Sequence, residues 1–142
     1  MMVPAKGKLV LYVEDEENDR FLVDFAFKRT SPGLILVTAK DGEDAIQWLS
    51  AHATADHASV EGQLACVLLD LNLPRKNGFE VLGWLRQQPA YKSLPVIVLT
   101  SSDHPKDRER ALQLGANRFE VKTGHYSDYE QLAKSLGTVN GG

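Results

Sequence analysis

Four ionisable side chains lie at the ends of apolar runs in this sequence, and together they could form a reactive site. Glu14 and Asp15 follow one run, Asp70 follows a later run, and Lys122 ends the last. Carboxylates that lie close together repel one another unless a cation intervenes. Mg²⁺ suits this position because it prefers oxygen ligands and binds one or two carboxylates together with a phosphate oxygen. A carboxylate beside Mg²⁺ and a lysine could accept a phosphoryl group.

A hydroxyl group completes this set of candidate residues. Thr100 follows the fourth apolar run, and its side chain could donate a hydrogen bond to a phosphoryl oxygen. Residue chemistry alone therefore predicts an Mg²⁺-dependent site at which an aspartate is phosphorylated.

The apolar runs that precede these residues predict five strands. They are rich in β-branched residues and nearly continuous in apolar character, which is typical of parallel strands buried on both faces. The runs cover residues 8–13, 34–39, 65–69, 95–99 and 118–121. Glu120 interrupts the last run, which indicates an edge strand with one wetter face.

Between the runs, apolar side chains recur with the period of amphipathic helices. Each of the five stripes is marked by a pair of residues: Phe21 and Phe25, Ala45 and Leu49, Phe79 and Leu82, Ala111 and Leu112, Tyr129 and Leu132.

The ends of these helices are predicted from capping residues. Asn18 or Asp19 is expected to cap the first helix, and Gly115 and Gly137 are expected to end the fourth and the fifth. We interpret the acids from Glu16 to Asp19 as a solvated helix start that complements the helix dipole. The polar segment 51–63 is interpreted as an extended surface loop.

Five alternations of strand and helix predict an α/β fold: a doubly wound, five-stranded parallel sheet with helices on both faces, which is a three-layer α/β/α arrangement. Ligands of such sheets bind outside the carboxyl ends of the strands, where the strand order reverses. If the strand order is 2-1-3-4-5, the first and third strands are neighbours there, and Glu14 and Asp15 face Asp70. We expect one domain over residues 8–136, flexible tails at 1–7 and 137–142, and no effector domain.

The composition excludes several classes of protein. The 142 residues include 16 basic and 19 acidic side chains, so the formal net charge of -3 indicates neither a nucleic-acid partner nor a membrane surface. No apolar run approaches the roughly 20 residues that a membrane helix needs. The lone Cys66 excludes an intramolecular disulfide, and the N-terminus lacks the apolar core of a signal peptide. We therefore expect a cytoplasmic protein.

Four segments together resemble the receiver domain of two-component response regulators. They are VEDEEND at 13–19, LLDLNLPRKNGFEVL at 68–82, PVIVLTSS at 95–102 and GANRFEVK at 115–122. Their order and spacing match that family over about residues 8–136. The DLNLPRKNG form and the longer loop before the third strand are most similar to the single-domain receivers that serve phytochrome-type sensor kinases.

The resemblance implies roles for residues around the phosphoryl group. Asp70 would be the phosphoacceptor, and Lys122 would pair with a phosphoryl oxygen. Thr100 would be the switch hydroxyl that moves onto the phosphoryl group, and Phe119 would be an aromatic rotamer switch.

The resemblance also implies a metal site for Mg²⁺. Asp15 would bind the ion directly beside Asp70, Glu14 would act through a bound water, and Asn72 would offer its backbone carbonyl. In this family the side chains at the positions of Asn72 and Ser102 influence how fast the phosphoryl group hydrolyses.

A receiver domain implies particular partners. The phosphoryl donor would be a sensor histidine kinase, with a bacterial or cyanobacterial phytochrome as the candidate. Output would pass to a histidine phosphotransfer protein, to another partner, or through a homodimer formed by the fourth helix, fifth strand and fifth helix or by the tails. Such a protein catalyses its own phosphorylation and dephosphorylation but is not a turnover enzyme.

Three alternatives stay open at this point. A phosphatase of the haloacid dehalogenase type needs an acid two residues after its nucleophile, where this chain has Asn72. A flavodoxin-type nucleotide site needs a glycine-rich loop after the first strand, which is missing here. A receiver-like interaction module without phosphorylation is the third.

The third alternative depends on one departure from the family pattern. Receivers usually have a proline joined by a cis bond after the lysine, whereas here Thr123 follows Lys122. A cis bond without proline costs about 3–4 kcal/mol. Either packing holds a strained cis bond, or the bond is trans and the following loop is rebuilt.

Overall fold

A computed structural model describes residues 8–54 and 63–141. Within them, five strands form one parallel sheet. The strands are β1 (Leu9–Val13), β2 (Ile35–Ala39), β3 (Leu64–Leu69), β4 (Val96–Thr100) and β5 (Arg118–Val121). The sheet has the order β2-β1-β3-β4-β5, which confirms the predicted topology.

Five α-helices alternate with these strands. They are α1 (Glu17–Thr30), α2 (Gly42–Thr54), α3 (Gly78–Gln87), α4 (Pro105–Gln113) and α5 (Tyr126–Gly141), with a 3₁₀ turn at Pro89–Tyr91 after α3. No helix in the described part of the chain combines the length and apolar character that a bilayer span needs.

The sheet buries both faces, as its nearly continuous apolar strands predict. Along β1, Leu11 and Val13 face a core that α2, α3 and α4 cover. Val10 and Tyr12 face the opposite core, which α1 and α5 cover. The three-layer arrangement follows from this alternation, since successive side chains of a strand point to opposite faces. β5 lies at one edge, where Arg118 pairs with Glu120 on the wetter side.

The predicted caps of α1 are wrong. Glu16 caps the helix by accepting a hydrogen bond from the backbone N–H of Asn18, so Asn18 and Asp19 lie within the first turn. The fourth helix follows its prediction more closely, because Gly115 has a φ of +108° directly after the C-cap residue Leu114.

The predicted loop 51–63 is wrong in its first part. Residues 51–54 continue α2, where the His52 ring stacks on Trp48 at 4.6 Å between centroids, one helical turn away. Residues 55–62 lie outside the described residues.

The predicted helix end at Gly137 is also wrong, because α5 continues to Gly141. The glycine serves a close approach instead, since a β-carbon there would lie 2.5 Å from Ser31 Oγ. The Ser31 hydroxyl donates to the carbonyl of Ala133 at 2.7 Å and so ties the end of α1 to α5. Residues 137–141 belong to α5, and residues 1–7 lie outside the described residues.

Candidate functional site

Three carboxylates meet at the carboxyl edge of the sheet, as predicted. β1 and β3 run in register with Val13 opposite Leu69, so the residues that follow each strand emerge side by side. One oxygen from each of Glu14, Asp15 and Asp70 lies within 4.8 Å of the others. Glu14 and Asp70 are buried, whereas Asp15 is exposed. A set of oxygen donors at this spacing fits a hard divalent cation.

Lys122 faces this cluster from the end of β5. Its Nζ lies 2.6 Å from Glu14 Oε1, 2.8 Å from Asp19 Oδ2 and 3.1 Å from Asp70 Oδ2. Burial lowers the pKa of Lys122, but the hydrogen bonds to Asp19 and Glu14 and the charge of Asp70 outweigh that effect and raise it above its ordinary value. The lysine therefore stays positively charged among the acids.

The Glu14 carboxylate is held by donors on both oxygens. Oε1 accepts from Lys122 Nζ and, at 3.2 Å, from the Tyr12 hydroxyl. Oε2 accepts from the backbone N–H of Glu16 at 3.1 Å. Burial raises the pKa of Glu14 to about 7, Lys122 opposes the rise, and the charge of Asp70 adds to it. A nearby cation therefore stabilises the charged form of Glu14.

Asp70 is fixed by the loop that it begins. The backbone N–H of Asn72 donates to Asp70 Oδ1 at 3.2 Å, while Lys122 donates to Oδ2. A β-carbon on Gly78 would lie 2.2 Å from the Asp70 carbonyl oxygen, so the glycine lets α3 start against the loop. Asn77 and Glu80 form a capping box that fixes this helix start.

Thr100 lies beside the site but is fully buried. Its Oγ1 accepts from the backbone N–H of Ser102 at 3.3 Å, and its carbonyl accepts from the N–H of Lys122 at 2.7 Å. The Ser102 hydroxyl donates to Asp107 Oδ2 at 2.6 Å, which ties the β4–α4 loop to α4. Phe119 is buried, with the guanidinium of Arg108 5.7 Å from its ring centroid.

An open cleft of about 490 Å³ lies over the acidic cluster. Its lining includes the predicted site residues Glu14, Asp15, Asp70, Asn72 and Lys122. Ser101 lines the cleft in place of its buried neighbour Thr100. The cleft therefore exposes the oxygens of several acids and one ammonium group to a small charged ligand.

The bond between Lys122 and Thr123 is trans, since the described residues contain no cis peptide bond. The following loop is held by Thr123, whose hydroxyl donates to Asp128 and accepts from the N–H of His125 at 3.2 Å. Gly124, with a φ of +82°, turns the chain between them. Of the two possibilities that the missing proline left open, the trans bond is the one observed.

Two residues of the site are not predicted from the sequence. The interpretation of Asp19 as part of a solvated helix start is wrong, since Asp19 bonds Lys122 because the first turn of α1 begins at the same sheet edge as the acids. Tyr12 belongs to the first apolar run, which predicts only a buried strand residue. The signal available for Tyr12 is its spacing, since residues two apart in a strand share a face and Tyr12 lies two before Glu14.

Comparison with known families and proteins shows what the chain is similar to. The profile of the family described as "Response regulator receiver domain" matches residues 10–134. Response regulator Rcp1 of Synechocystis sp. is 31% identical over 129 residues, which cover 91% of this chain and 86% of that protein.

Two solved structures are similar over most of the chain. The phosphorylated cyanobacterial phytochrome response regulator RcpA is 32% identical, with a TM-score of 0.78, and the match covers 92% of this chain and 91% of that one. The Mn²⁺-bound form of response regulator Rcp1 is 30% identical, with a TM-score of 0.76 and 92% of each chain covered. Both likenesses agree with the observed sheet topology.

Proposed function

Because the chain belongs to the response regulator receiver domain family, we propose that it accepts a phosphoryl group on Asp70 from a sensor histidine kinase. One observation carries the proposal: the Asp70 carboxylate lies in a cluster with Glu14 and Asp15 and 3.1 Å from Lys122 Nζ. Receiver domains are signalling proteins rather than turnover enzymes. Asp70 would therefore be an acceptor whose phosphorylation and dephosphorylation this domain itself assists.

We assign Mg²⁺ to the acidic cluster. Asp15 and Asp70 would hold the ion through carboxylate oxygens, Asn72 through its backbone carbonyl, and Glu14 through a water molecule. Carboxylate oxygens within 4.8 Å of one another support this assignment, as does the Mn²⁺-bound form of the relative Rcp1. When bound, the ion would supply positive charge against the phosphoryl oxygens during transfer.

The transfer would exchange one bond to phosphorus for another. An oxygen of the Asp70 carboxylate forms a P–O bond while the P–N bond to the kinase's histidine breaks, and the electron pair of that bond returns to the imidazole nitrogen. Lys122 supports this step because it remains charged at neutral pH and already lies beside Asp70. Its ammonium group can pair with a phosphoryl oxygen as negative charge arrives.

The signal would leave the site through Thr100 and Phe119. Thr100 Oγ1 accepts from Ser102, so its own hydroxyl proton can be donated to a phosphoryl oxygen. Phe119 lies in β5, paired with the strand that ends in Thr100, and packs in the core beneath Arg108. A shift of the β4–α4 loop toward Asp70 would change the packing around this ring and the surface that α4 and β5 present.

The relatives suggest a photoreceptor kinase as the donor. RcpA is a cyanobacterial phytochrome response regulator, and this chain is 32% identical to it over 92% of its residues. We propose a bacterial or cyanobacterial phytochrome kinase, acting in the cytoplasm, where a buried lone thiol such as that of Cys66 stays reduced. Onward transfer to a histidine phosphotransfer protein is proposed as one output.

A homodimer is proposed as the other output. The exposed apolar side chains Leu112 of α4 and Val121 of β5 support it, since they lie on the α4–β5–α5 face beside the proposed switch residues. Burying such side chains between two copies of the chain would link phosphorylation to association.

The rival functions lack comparable support. The position two residues after Asp70, where a phosphatase of the haloacid dehalogenase type needs an acid, is Asn72. A receiver-like module without phosphorylation does not explain why a charged lysine is bonded to three buried or half-buried acids.

Incubation with Mg²⁺ and acetyl phosphate tests the proposal. Intact mass should increase by one phosphoryl group, and the adduct should be stable in acid and labile in base. Asp70→Asn should abolish it, whereas Asp24→Asn, which changes a half-buried aspartate of α1 that pairs with Lys28, should not. Sustained hydrolysis of phosphate esters, or no adduct under any condition, would contradict the proposal.

A further inference from the structure

A buried tyrosine stands among the aliphatic side chains of β1, directly beside the acidic cluster. Tyr12 is fully buried, and the rest of the strand consists of leucine and valine. Its ring packs in the core between the sheet and the helices α1 and α5. Phenylalanine would fill the same space, so packing alone gives no reason for the hydroxyl group.

The hydroxyl has a defined partner. It donates to Glu14 Oε1 at 3.2 Å, on the same face of the strand two residues further on. Burying a hydroxyl without a hydrogen bond costs about 1–3 kcal/mol, so the phenol and the carboxylate satisfy one another. Burial and the charge of Glu14 raise the pKa of Tyr12, which keeps the phenol protonated and able to donate.

Two other donors also reach the Glu14 carboxylate. Lys122 Nζ approaches Oε1 at 2.6 Å, and the N–H of Glu16 approaches Oε2 at 3.1 Å. Lys122 also bonds Asp19 and Asp70, so its hydrogen bond to Glu14 is shared with two other acids. Tyr12 is fully buried in β1, so its hydroxyl supplies a fixed direction that the lysine does not.

We propose that Tyr12 is a positioning residue that fixes the orientation of the Glu14 carboxylate for divalent-cation binding. The inference rests on the proposed function of the acidic cluster. Side chains that orient a metal-binding group typically change metal affinity about 10–100-fold when they are removed. Glu14 would act through water rather than directly, so we expect an effect at the lower end of that range.

Tyr12→Phe tests the inference by removing one oxygen atom. The Mn²⁺ dissociation constant, measured from the electron paramagnetic resonance signal of free Mn²⁺, should rise about 10-fold, and calorimetry with Mg²⁺ should show the same direction. Circular dichroism checks that the variant folds. Should Tyr12→Phe not fold, Tyr12→Leu, which matches the aliphatic neighbours, takes its place.

Tyr91→Phe is the matched control. The Tyr91 hydroxyl is also buried and donates to the carbonyl of Leu49 at 2.7 Å, in the core on the other side of the sheet. Its loss should lower the melting temperature and leave the Mn²⁺ dissociation constant unchanged. Equal weakening of cation binding by both variants would show a general structural effect and overturn the inference.

A double-mutant cycle with Glu14→Gln tests whether Tyr12 acts through Glu14. In the Glu14→Gln background, Tyr12→Phe should change the dissociation constant less than about twofold, because the carboxylate that it orients is gone. An undiminished effect there, or wild-type affinity in Tyr12→Phe alone, would overturn the inference while leaving the proposed function intact. Absence of cation binding by the wild-type chain would instead overturn the proposed function, and the inference with it.

Discussion

A β-carbon on Gly42 would lie 1.8 Å from the carbonyl oxygen of Lys76, so the start of α2 is in direct contact with the loop that follows Asp70. The N–H of Glu43 donates to the carbonyl of Arg75 at 2.9 Å in the same contact. Arg75 and Lys76 have φ values of 47° and 76°, a left-handed conformation that non-glycine residues adopt at a cost. The contact with α2 holds this strained turn.

Gly42→Ala should therefore be strongly unfavourable. The backbone at Lys76 has to move, which we expect to cost about 1–3 kcal/mol of unfolding free energy. Because the same loop carries Asn72, cation affinity should fall as well. Denaturant unfolding and an Mn²⁺ titration measure the two effects.

Gly83→Ala is the control for this prediction. A β-carbon there meets nothing within 4 Å, and the residue lies inside α3, so alanine should stabilise the helix by about 0.5–1 kcal/mol. A neutral Gly42→Ala, or one as mild as Gly83→Ala, would show that the α2 contact does not matter.

Asp70→Asn should stabilise the protein in metal-free buffer. Glu14, Asp19 and Asp70 share the ammonium group of Lys122, and Asp15 lies beside them, so removing one negative charge relieves repulsion. We expect the unfolding free energy to rise by about 1 kcal/mol, because residues arranged for function often lower the stability of a protein. Added Mg²⁺ should raise the melting temperature of the wild type more than that of the variant. A less stable variant in metal-free buffer would count against this account of the cluster.

Thr123→Ala should lower the unfolding free energy by about 1 kcal/mol. The variant loses the hydroxyl that donates to Asp128 and accepts from the N–H of His125, and these two bonds hold the loop after Lys122. Thr38→Ala, on an exposed position of β2, should change stability by less than about 0.5 kcal/mol. Chemical denaturation measures the unfolding free energy of both variants. Equal losses in the two would contradict the stabilising role of the Thr123 hydrogen bonds.

Cys66 should resist thiol reagents while the protein is folded. Burial raises the pKa of its thiol to about 12, so the thiolate is a smaller fraction at pH 8 than in an unfolded chain. Modification by an aromatic disulfide should be slow in buffer and rapid in guanidinium chloride. Rapid modification of the folded protein would contradict its burial in β3.

Much of the site could be predicted because it depends on topology. Alternating apolar runs and amphipathic stretches predict a parallel sheet, the resemblance to receiver domains implies its strand order, and that order brings Glu14 and Asp15 beside Asp70. Lys122 is predicted at the same edge of the sheet because it directly follows β5. Residue type and strand position suffice for groups that leave the sheet at its carboxyl edge.

The remaining features depend on geometry that sequence patterns do not carry. Asp19 reaches Lys122 because the first turn of α1 begins at the sheet edge where the acids lie. Asn18 and Asp19 have the composition of helix caps, but Glu16 takes that position. Glycine is typical of a helix end, but at position 137 it is explained by the close approach of Ser31 at the end of α1. Such contacts between distant segments appear only once the packing is known.

The most direct test of the central claim locates the phosphoryl group within the chain. The protein is phosphorylated with acetyl phosphate and Mg²⁺, the acyl phosphate is reduced with borohydride, and the peptides are sequenced by mass spectrometry. We predict homoserine at position 70 and unmodified aspartate at Asp15 and Asp19. Homoserine at another position, or none in a sample that carries the phosphoryl mass, would contradict the assignment of Asp70.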